Sequence, residues 1–337
     1  MLKIVGDCNF ADGFFDMGFG TGTSIKNGSD PFHYIKGDTK DDFWIGNFEC
    51  VCSDLSGCKG MEARQFIIAT DVCNNIKHLD FYGVANNHVM QHGAEAYRQM
   101  VKYIESTGSL YAGTKEKRTT SFEHQGKKVA ITIFNQRPEN FTKPPLYWAM
   151  PEYEDVRTEL KKYENCDYRI VYVHWGIEFI NYPYNDQKQF AHFLIDSGVD
   201  LVIGVHPHVM QGYELYKGKY IFYSLGNCVF NMPWKATKYS LQVNVDLTLG
   251  EVSYKYLHIG KDYFPRYIEN VPEQYSMEYL NSLLNISQDN EIYFAKASSC
   301  LNQYRKANRK DILKNAWRLK FSDIVSVATD FVKRKFK

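Results

Sequence analysis

The sequence predicts an α/β fold, one catalytic-type domain followed by a helical tail, and three observations carry that expectation. Short apolar runs that end in small or polar residues recur at 3–6, 43–46, 81–85, 129–134, 169–173, 201–205 and 220–224. Amphipathic helical stretches lie between many of them, at about 94–106, 156–163 and 186–197, the last closed by Gly198. Strand and helix in alternation is the pattern of an α/β domain. The third observation is what stands at the ends of the runs.

The first run ends in Gly6-Asp7 and opens into a loop loosened by Gly13, Gly18, Gly20, Gly22 and Gly28. Its GFGTG segment invites a nucleotide-binding reading. A dinucleotide fingerprint needs a third glycine opening a helix, and a P-loop needs Lys followed by Ser or Thr, so a flexible flap beside the first strand is expected instead. The second run ends in Gly46-Asn47-Phe48-Glu49 and the third in Asn86-Asn87-His88. The fifth ends in His174-Trp175-Gly176, followed by Glu178, the sixth in Gly204-Val205-His206-Pro207-His208, and the seventh in Ser224-Leu225-Gly226-Asn227. Runs 241–249 and 251–259 then alternate with period two around Gly250, which reads as an antiparallel hairpin. After Asp262 the pattern becomes helical, giving a domain over 1–262 and a basic helical extension over 263–337.

With 337 residues, 44% hydrophobic and 23% charged, the chain can bury a sizeable core, which excludes a disulfide-stapled miniprotein, wholesale disorder and a collagen-like repeat. No stretch approaches the roughly 18 apolar residues of a membrane helix, and strand-like residues follow Met1 directly. A cytoplasmic protein without a signal segment is therefore expected. The eight cysteines show no CxxC pair, which suits a reducing compartment, and Cys50, Cys52 and Cys58 fit no common structural zinc spacing.

The net charge of +1 hides an asymmetry. From 301 to 337 there are 11 Lys or Arg against 3 Asp, or +8, which leaves 29 basic against 36 acidic residues before it, or −7. Leu313, Trp317, Phe321, Ile324, Ala328 and Phe331 recur there at helical spacing. Two expectations follow: the stripe docks on the body with its charges in water, or the tail contacts an anionic membrane surface, polymer or assembly partner. A nucleic-acid reader is not expected, because the body is acidic and its basic residues do not interleave with aromatics.

In α/β proteins the carboxyl ends of strands are where chemistry sits. Here two carboxylates, an amide and several imidazoles converge from separate elements on one sheet edge. Carboxylate oxygen and neutral imidazole suit Mn, Fe or Zn, and a site with open positions acidifies water and polarises a phosphoryl or carbonyl oxygen. Metal-dependent hydrolysis is the natural reaction. Trp175, Glu178, Tyr182, Tyr184 and Asn227 are expected to line a substrate groove.

These residues also resemble a known family. HWGIEF, a helix, and then DSGVDLVIGVHPHVMQGYELYKGKYIFYSLGNCVF look like the signature of the CapA, or poly-gamma-glutamate capsule synthesis, family, a branch of the calcineurin-like metallophosphoesterases. GDCN, GNFE and ANNHVMQHG match its earlier blocks, so the resemblance covers about 1–231. It implies a four-layer sandwich, two β-sheets flanked by helices, with two divalent metals at one edge. On this chain it implies Glu49 as the bridging ligand, Asp7, Asn9 and His208 at one metal, and Asn87, His174 and His206 at the other. The resemblance further implies His88, with Asn87 beside it, as the catalytic pair, His88 donating a proton to the leaving oxygen or stabilising it. Two positions depart from the pattern: Asn9 replaces an imidazole, and Gln91 replaces an acid. The resemblance implies a phosphoesterase acting on a phosphorylated or polymeric anionic substrate in capsule or exopolysaccharide assembly. A non-hydrolytic accessory of a polymer synthesis complex, or an amide hydrolase or transferase on a poly-glutamate-like chain, are the alternatives.

Overall fold

The computed structural model describes residues 1–13, 16–35, 41–76, 79–137, 144–286, 290–326 and 329. The strands, in chain order, are β1 (Leu2–Cys8), β2 (Phe43–Phe48), β3 (Val51–Cys52), β4 (Ile67–Ile68), β5 (Phe81–Gly83), β6 (Leu110–Ala112), β7 (Thr119–His124), β8 (Lys127–Asn135), β9 (Tyr168–His174), β10 (Leu201–Val205), β11 (Tyr213–Tyr216), β12 (Lys219–Phe222), β13 (Asn227–Val229), β14 (Tyr239–Asp246), β15 (Glu251–Ile259) and β16 (Pro265–Ile268). The helices are α1 (Thr21–Lys26), α2 (Thr70–Cys73), α3 (Ala94–Thr107), α4 (Tyr153–Lys161), α5 (Asn185–Asp196), α6 (Met277–Ser282) and α7 (Asn290–Asn315).

Two sheets face each other. One runs β16-β15-β14-β1-β2-β5-β6, with β13 paired to the end of β1, and the other runs β11-β12-β10-β9-β8-β7. Their central strands are parallel and covered on both faces, which is why they read as unbroken apolar runs. Alternation then assigns the two faces. Ile170 and Tyr172 of β9 join the core between the sheets, while Val171 and Val173 join a second core with Val156 and Leu160 of α4 and Phe190 and Leu194 of α5. On the far side of the first sheet, Tyr97, Met100 and Ile104 of α3 pack on the same large core. Helix, sheet, sheet, helix is the expected four-layer α/β arrangement, and each large side chain buried there contributes about 1.5–3 kcal/mol.

The hairpin around Gly250 is β14 and β15. Helix does not begin at once after Asp262, however, because β16 pairs with β15 and extends the first sheet. Four residues beginning with Pro are too few to show a period, and a strand-initial Pro at a sheet edge costs no ladder bond.

Two further expectations are corrected. The described part of the glycine-rich loop is tied down: Asp12 accepts from the Gly18 and Thr23 amides and the Thr23 hydroxyl, and buried Asp16 accepts from the Gly13 amide and Asn231. A Cβ on Gly20 would lie 2.5 Å from the Asp16 carboxylate, so this glycine admits a carboxylate of the chain itself. Burial pushes Asp16 up to about 7, and Asn231 works against it. Second, Cys52 and Cys73 form a disulfide, which removes Cys52 from any zinc knuckle and runs against the expectation drawn from cysteine spacing.

The tail packs by residues the periodic stripe did not pick out. Tyr293 of α7 is buried against Tyr182, Tyr304 stacks on Phe179 at 4.4 Å, and Leu319 packs with Met17 and Met61. Leu313, Trp317 and Phe321 instead remain 77%, 83% and 81% exposed, so docking of the stripe is not what the structure has. Ala328 and Phe331 lie outside the described residues. No helix among the described residues is long and apolar enough to cross a membrane.

Candidate metal centre

The backbone brings the strand ends together through close packing. A Cβ on Gly6 would fall 1.8 Å from the Gly226 carbonyl oxygen, so only glycine lets β13 run beside β1 and place Asn227 opposite Asp7. Beneath the site, the Tyr172 hydroxyl donates to the Val5 carbonyl at 2.5 Å and accepts from the Asn47 amide at 2.9 Å, joining the two sheets. His206 and His208 follow β10 with φ of 100° and 58°, a left-handed backbone that non-glycine residues adopt only when the surroundings hold it. One such hold is the Asp7 carboxylate, which accepts from the His206 amide at 3.1 Å.

Two groups of potential ligands result, Asp7, Glu49 and His174, and Glu49, His206 and His208, each with donor atoms within 4.8 Å of one another and each wholly buried. Glu49 belongs to both groups, as the expectation of a shared ligand requires. The grouping of Asp7 with His174 differs from the expected one, but His208 is also close to Asp7, with Nδ1 3.4 Å from Oδ2. Asn87 joins through His174, its Oδ1 lying 2.8 Å from Nε2. Asn9 is buried at the end of β1, where its side-chain oxygen accepts from the Ala11 amide at 3.0 Å and closes a local turn.

The electrostatics fit a cation. Both Glu49 oxygens and Nδ1 of His206 are buried without a hydrogen-bond partner, and such orphans are rare because they cost free energy. Burial, then repulsion from Asp7, pushes the Glu49 carboxyl well up. Burial also holds His174 and His206 well below the usual imidazole range, so both are neutral and ready to coordinate. For Asp7 burial works upward, but contact with His208 outweighs it and keeps the carboxyl low, and the same contact raises His208 against its own burial.

A second layer fixes these ligands. Asn47 donates to Asp7 Oδ1 at 2.8 Å, and Asn86 donates to Asn47 Oδ1 at 3.0 Å while accepting from the amides of His88 and Val89. Asn227 does not line a groove: it is fully buried, with Oδ1 2.9 Å from Nδ1 of His208. His88 stacks on Phe66 at 3.6 Å, sets Nδ1 3.0 Å from Gln91 Oε1 and points Nε2 toward Glu49 at 3.8 Å.

Of the remaining expected groove residues, Glu178 is a third exposed and lies 3.8 Å from Arg137. Trp175 lines no groove, since it is buried in the core beneath α5 and donates from Nε1 to the Tyr223 carbonyl. Tyr182 and Tyr184 pack on Tyr293 of α7. Aromatic type alone could not separate wall from core. Sequence reasoning gave no role to Arg137, Asn47, Phe66, Phe179 or Tyr304. Asn47 lay inside a quoted block, but the part played by Tyr304 depends on the tail folding back over more than a hundred residues.

Facing sheets with helices outside and a buried carboxylate–imidazole cluster at the strand ends define an α/β sandwich with a candidate metal centre at one edge. The chain matches the model of the family described as bacterial capsule synthesis protein PGA_cap over residues 2–232 and belongs to that family. It is 29% identical over 241 residues to the PGA biosynthesis protein CapA of Bacillus subtilis, covering 67% of this chain and 63% of that one. To the capsule biosynthesis protein CapA of Bacillus anthracis it is 32% identical over 229 residues, covering 61% and 54%. The chain thus spans a little over half to under two thirds of the length of these relatives. The 5'-nucleotidase of Candida albicans superposes with a TM-score of 0.48 at 14% identity, covering 92% of this chain and 57% of that one.

Proposed function

We propose that the chain is a divalent-metal-dependent hydrolase that cleaves a phosphorus ester in the assembly of a capsule or similar anionic polymer. The observation that carries this reading is Glu49, a buried carboxylate with no hydrogen-bond partner that belongs to both ligand groups. Asp7, Glu49, Asn87, His174, His206 and His208 would hold Mn, Fe or Zn, with Asn9 at the margin. Ions there supply Lewis-acid polarisation of a phosphoryl oxygen and acidify water. The chain's own groups do the rest. Asn47 and Asn227 orient Asp7 and His208, and His88, whose Nε2 lies 3.8 Å from Glu49, would hold a proton and give it to a leaving oxygen.

The names of the two Bacillus relatives, PGA biosynthesis and capsule biosynthesis, support an acidic polymer or its phosphorylated precursor as the substrate. The tail supports a peripheral partner. Leu313, Trp317 and Phe321 stand out from a segment of charge +8, and exposed apolar residues among basic ones suit an anionic membrane face.

The test is turnover by the purified chain loaded with Mn, Fe or Zn against phosphomonoesters, phosphodiesters and poly-gamma-glutamate. Metal-dependent release from a phosphorus ester, lost in His206→Ala, is expected. Cleavage of poly-gamma-glutamate alone would move the reaction to the amide bond, and full metal loading with no turnover would make the protein a non-hydrolytic accessory.

A further inference from the structure

Phe66 combines an uncommon backbone with a close contact to His88. It stands at the entry to β4 with φ of 55°, a left-handed conformation that is costly for a bulky side chain and persists only where neighbours enforce it. Two do so. The Phe66 carbonyl accepts from the Val51 amide at 2.8 Å, and the Gln65 carbonyl accepts from Nε2 of His92 at 2.6 Å. Because β4 pairs with β3, which opens two residues after Glu49, this short ribbon delivers the Phe66 ring to the edge of the metal centre. There the ring lies on the imidazole of His88, with centroids 3.6 Å apart and planes within 7° of parallel. Phe230 backs it, packing edge-on against Phe66 at 6.0 Å and against His208 at 4.9 Å.

Resting on the hydrolase reading above, we propose that Phe66 is a positioning residue that fixes the plane of the His88 imidazole so that Nε2 meets the leaving oxygen. The torsion that turns an imidazole is broad, and the contact of Nδ1 with Gln91 Oε1 at 3.0 Å holds the ring at one point. A flat apolar face parallel to the ring supplies the second constraint, against rotation about that point. When the P–O bond breaks, the proton passes from Nε2 to the leaving oxygen, and a ring turned out of that line loses the transfer while the metal ligands stay in place. The loss depends on the substrate. A basic leaving oxygen needs the proton, whereas a weakly basic one departs as the anion.

The experiment uses the full chain loaded with Zn and aryl esters of phosphate and of methyl phosphate, each with phenol or dinitrophenol as the leaving group. In Phe66→Leu, kcat/KM for the phenyl esters is expected to fall by about tenfold or more, through kcat rather than KM, while the dinitrophenyl esters and the metal content are spared. Phe66→Tyr keeps the ring and should retain both activities, which separates a need for the aromatic face from damage to the loop. In the wild-type chain the carbon-bound ring protons of His88 should resonate upfield under the ring current of Phe66, and their absence from that range overturns the proposal without recourse to a variant. Equal loss on both leaving groups in Phe66→Leu, or no loss on either, also overturns it and leaves the hydrolase reading standing. Failure of the wild-type protein to hydrolyse any of these esters overturns that reading and this proposal together.

Discussion

Gln91 sits 3.0 Å from Nδ1 of His88, where a carboxylate would stabilise the imidazolium. An amide does so only weakly, and burial drives His88 down to about 3 in its metal-free surroundings. A histidine that gives up a proton must hold it first, so activity that depends on this step falls as pH rises through its pKa. Gln91→Glu keeps the length of the side chain and adds the charge. It should raise that pKa, extending activity to higher pH by roughly one unit. A pH–rate profile of the two proteins checks this, and superimposable alkaline limbs would mean that His88 acts in its neutral form. Single residues of this kind were legible in the sequence because chemistry at a strand end announces itself by type. Trp175 and Tyr182 were not, since an aromatic ring looks the same in a wall and in a core until its neighbours are known.

At the scale of elements, the tail separates into a part that holds the fold and a part that faces out. Tyr293 is 1% exposed and closes over Ile180 and Tyr182, and Tyr304 covers Phe179. Ending the chain at Ile286 should expose this surface, lower the melting temperature sharply and promote aggregation, at about 1.5–3 kcal/mol for each large side chain left bare. Replacing Leu313, Trp317 and Phe321 together by Ser should leave the melting temperature within a degree or two, because exposed substitutions shift stability by about 0.5 kcal/mol or less. The triple variant should lose co-sedimentation with vesicles containing anionic phosphatidylglycerol. In the unmodified protein that association should weaken as salt rises, over a screening length of about 8 Å at physiological ionic strength. Equal sedimentation of both proteins would remove the membrane from the account. The helical period was visible in the sequence, but which side of it touches the body was not, since the anchoring residues Tyr293, Tyr304 and Leu319 fall outside the stripe.

For the whole molecule, the α/β architecture was legible because parallel strands buried on both faces leave unbroken apolar runs, as in residues 201–205. The short edge strand β16 and the Cys52–Cys73 pairing were not, the first for want of length and the second because a separation of 21 residues carries no motif. What the fold achieves is to hold Glu49 away from water with no hydrogen-bond partner. Its carboxyl is pushed up on folding, so in the metal-free protein it detracts from stability increasingly as pH rises above the usual carboxylate range and favours protonation. A bound cation reverses that cost, and at a metal concentration of 100 times Kd adds about 2.7 kcal/mol.

Metal content by mass spectrometry, paired with the melting temperature of the chelator-treated protein, therefore bears most directly on the central claim. The wild-type chain should retain divalent metal and melt lower once stripped. Glu49→Gln should retain little or none, yet melt no lower than the stripped wild type, because the amide removes a buried carboxyl that lacks a hydrogen-bond partner without opening a cavity. Undiminished metal content in Glu49→Gln would contradict the claim that this carboxylate is the shared ligand around which the site is built.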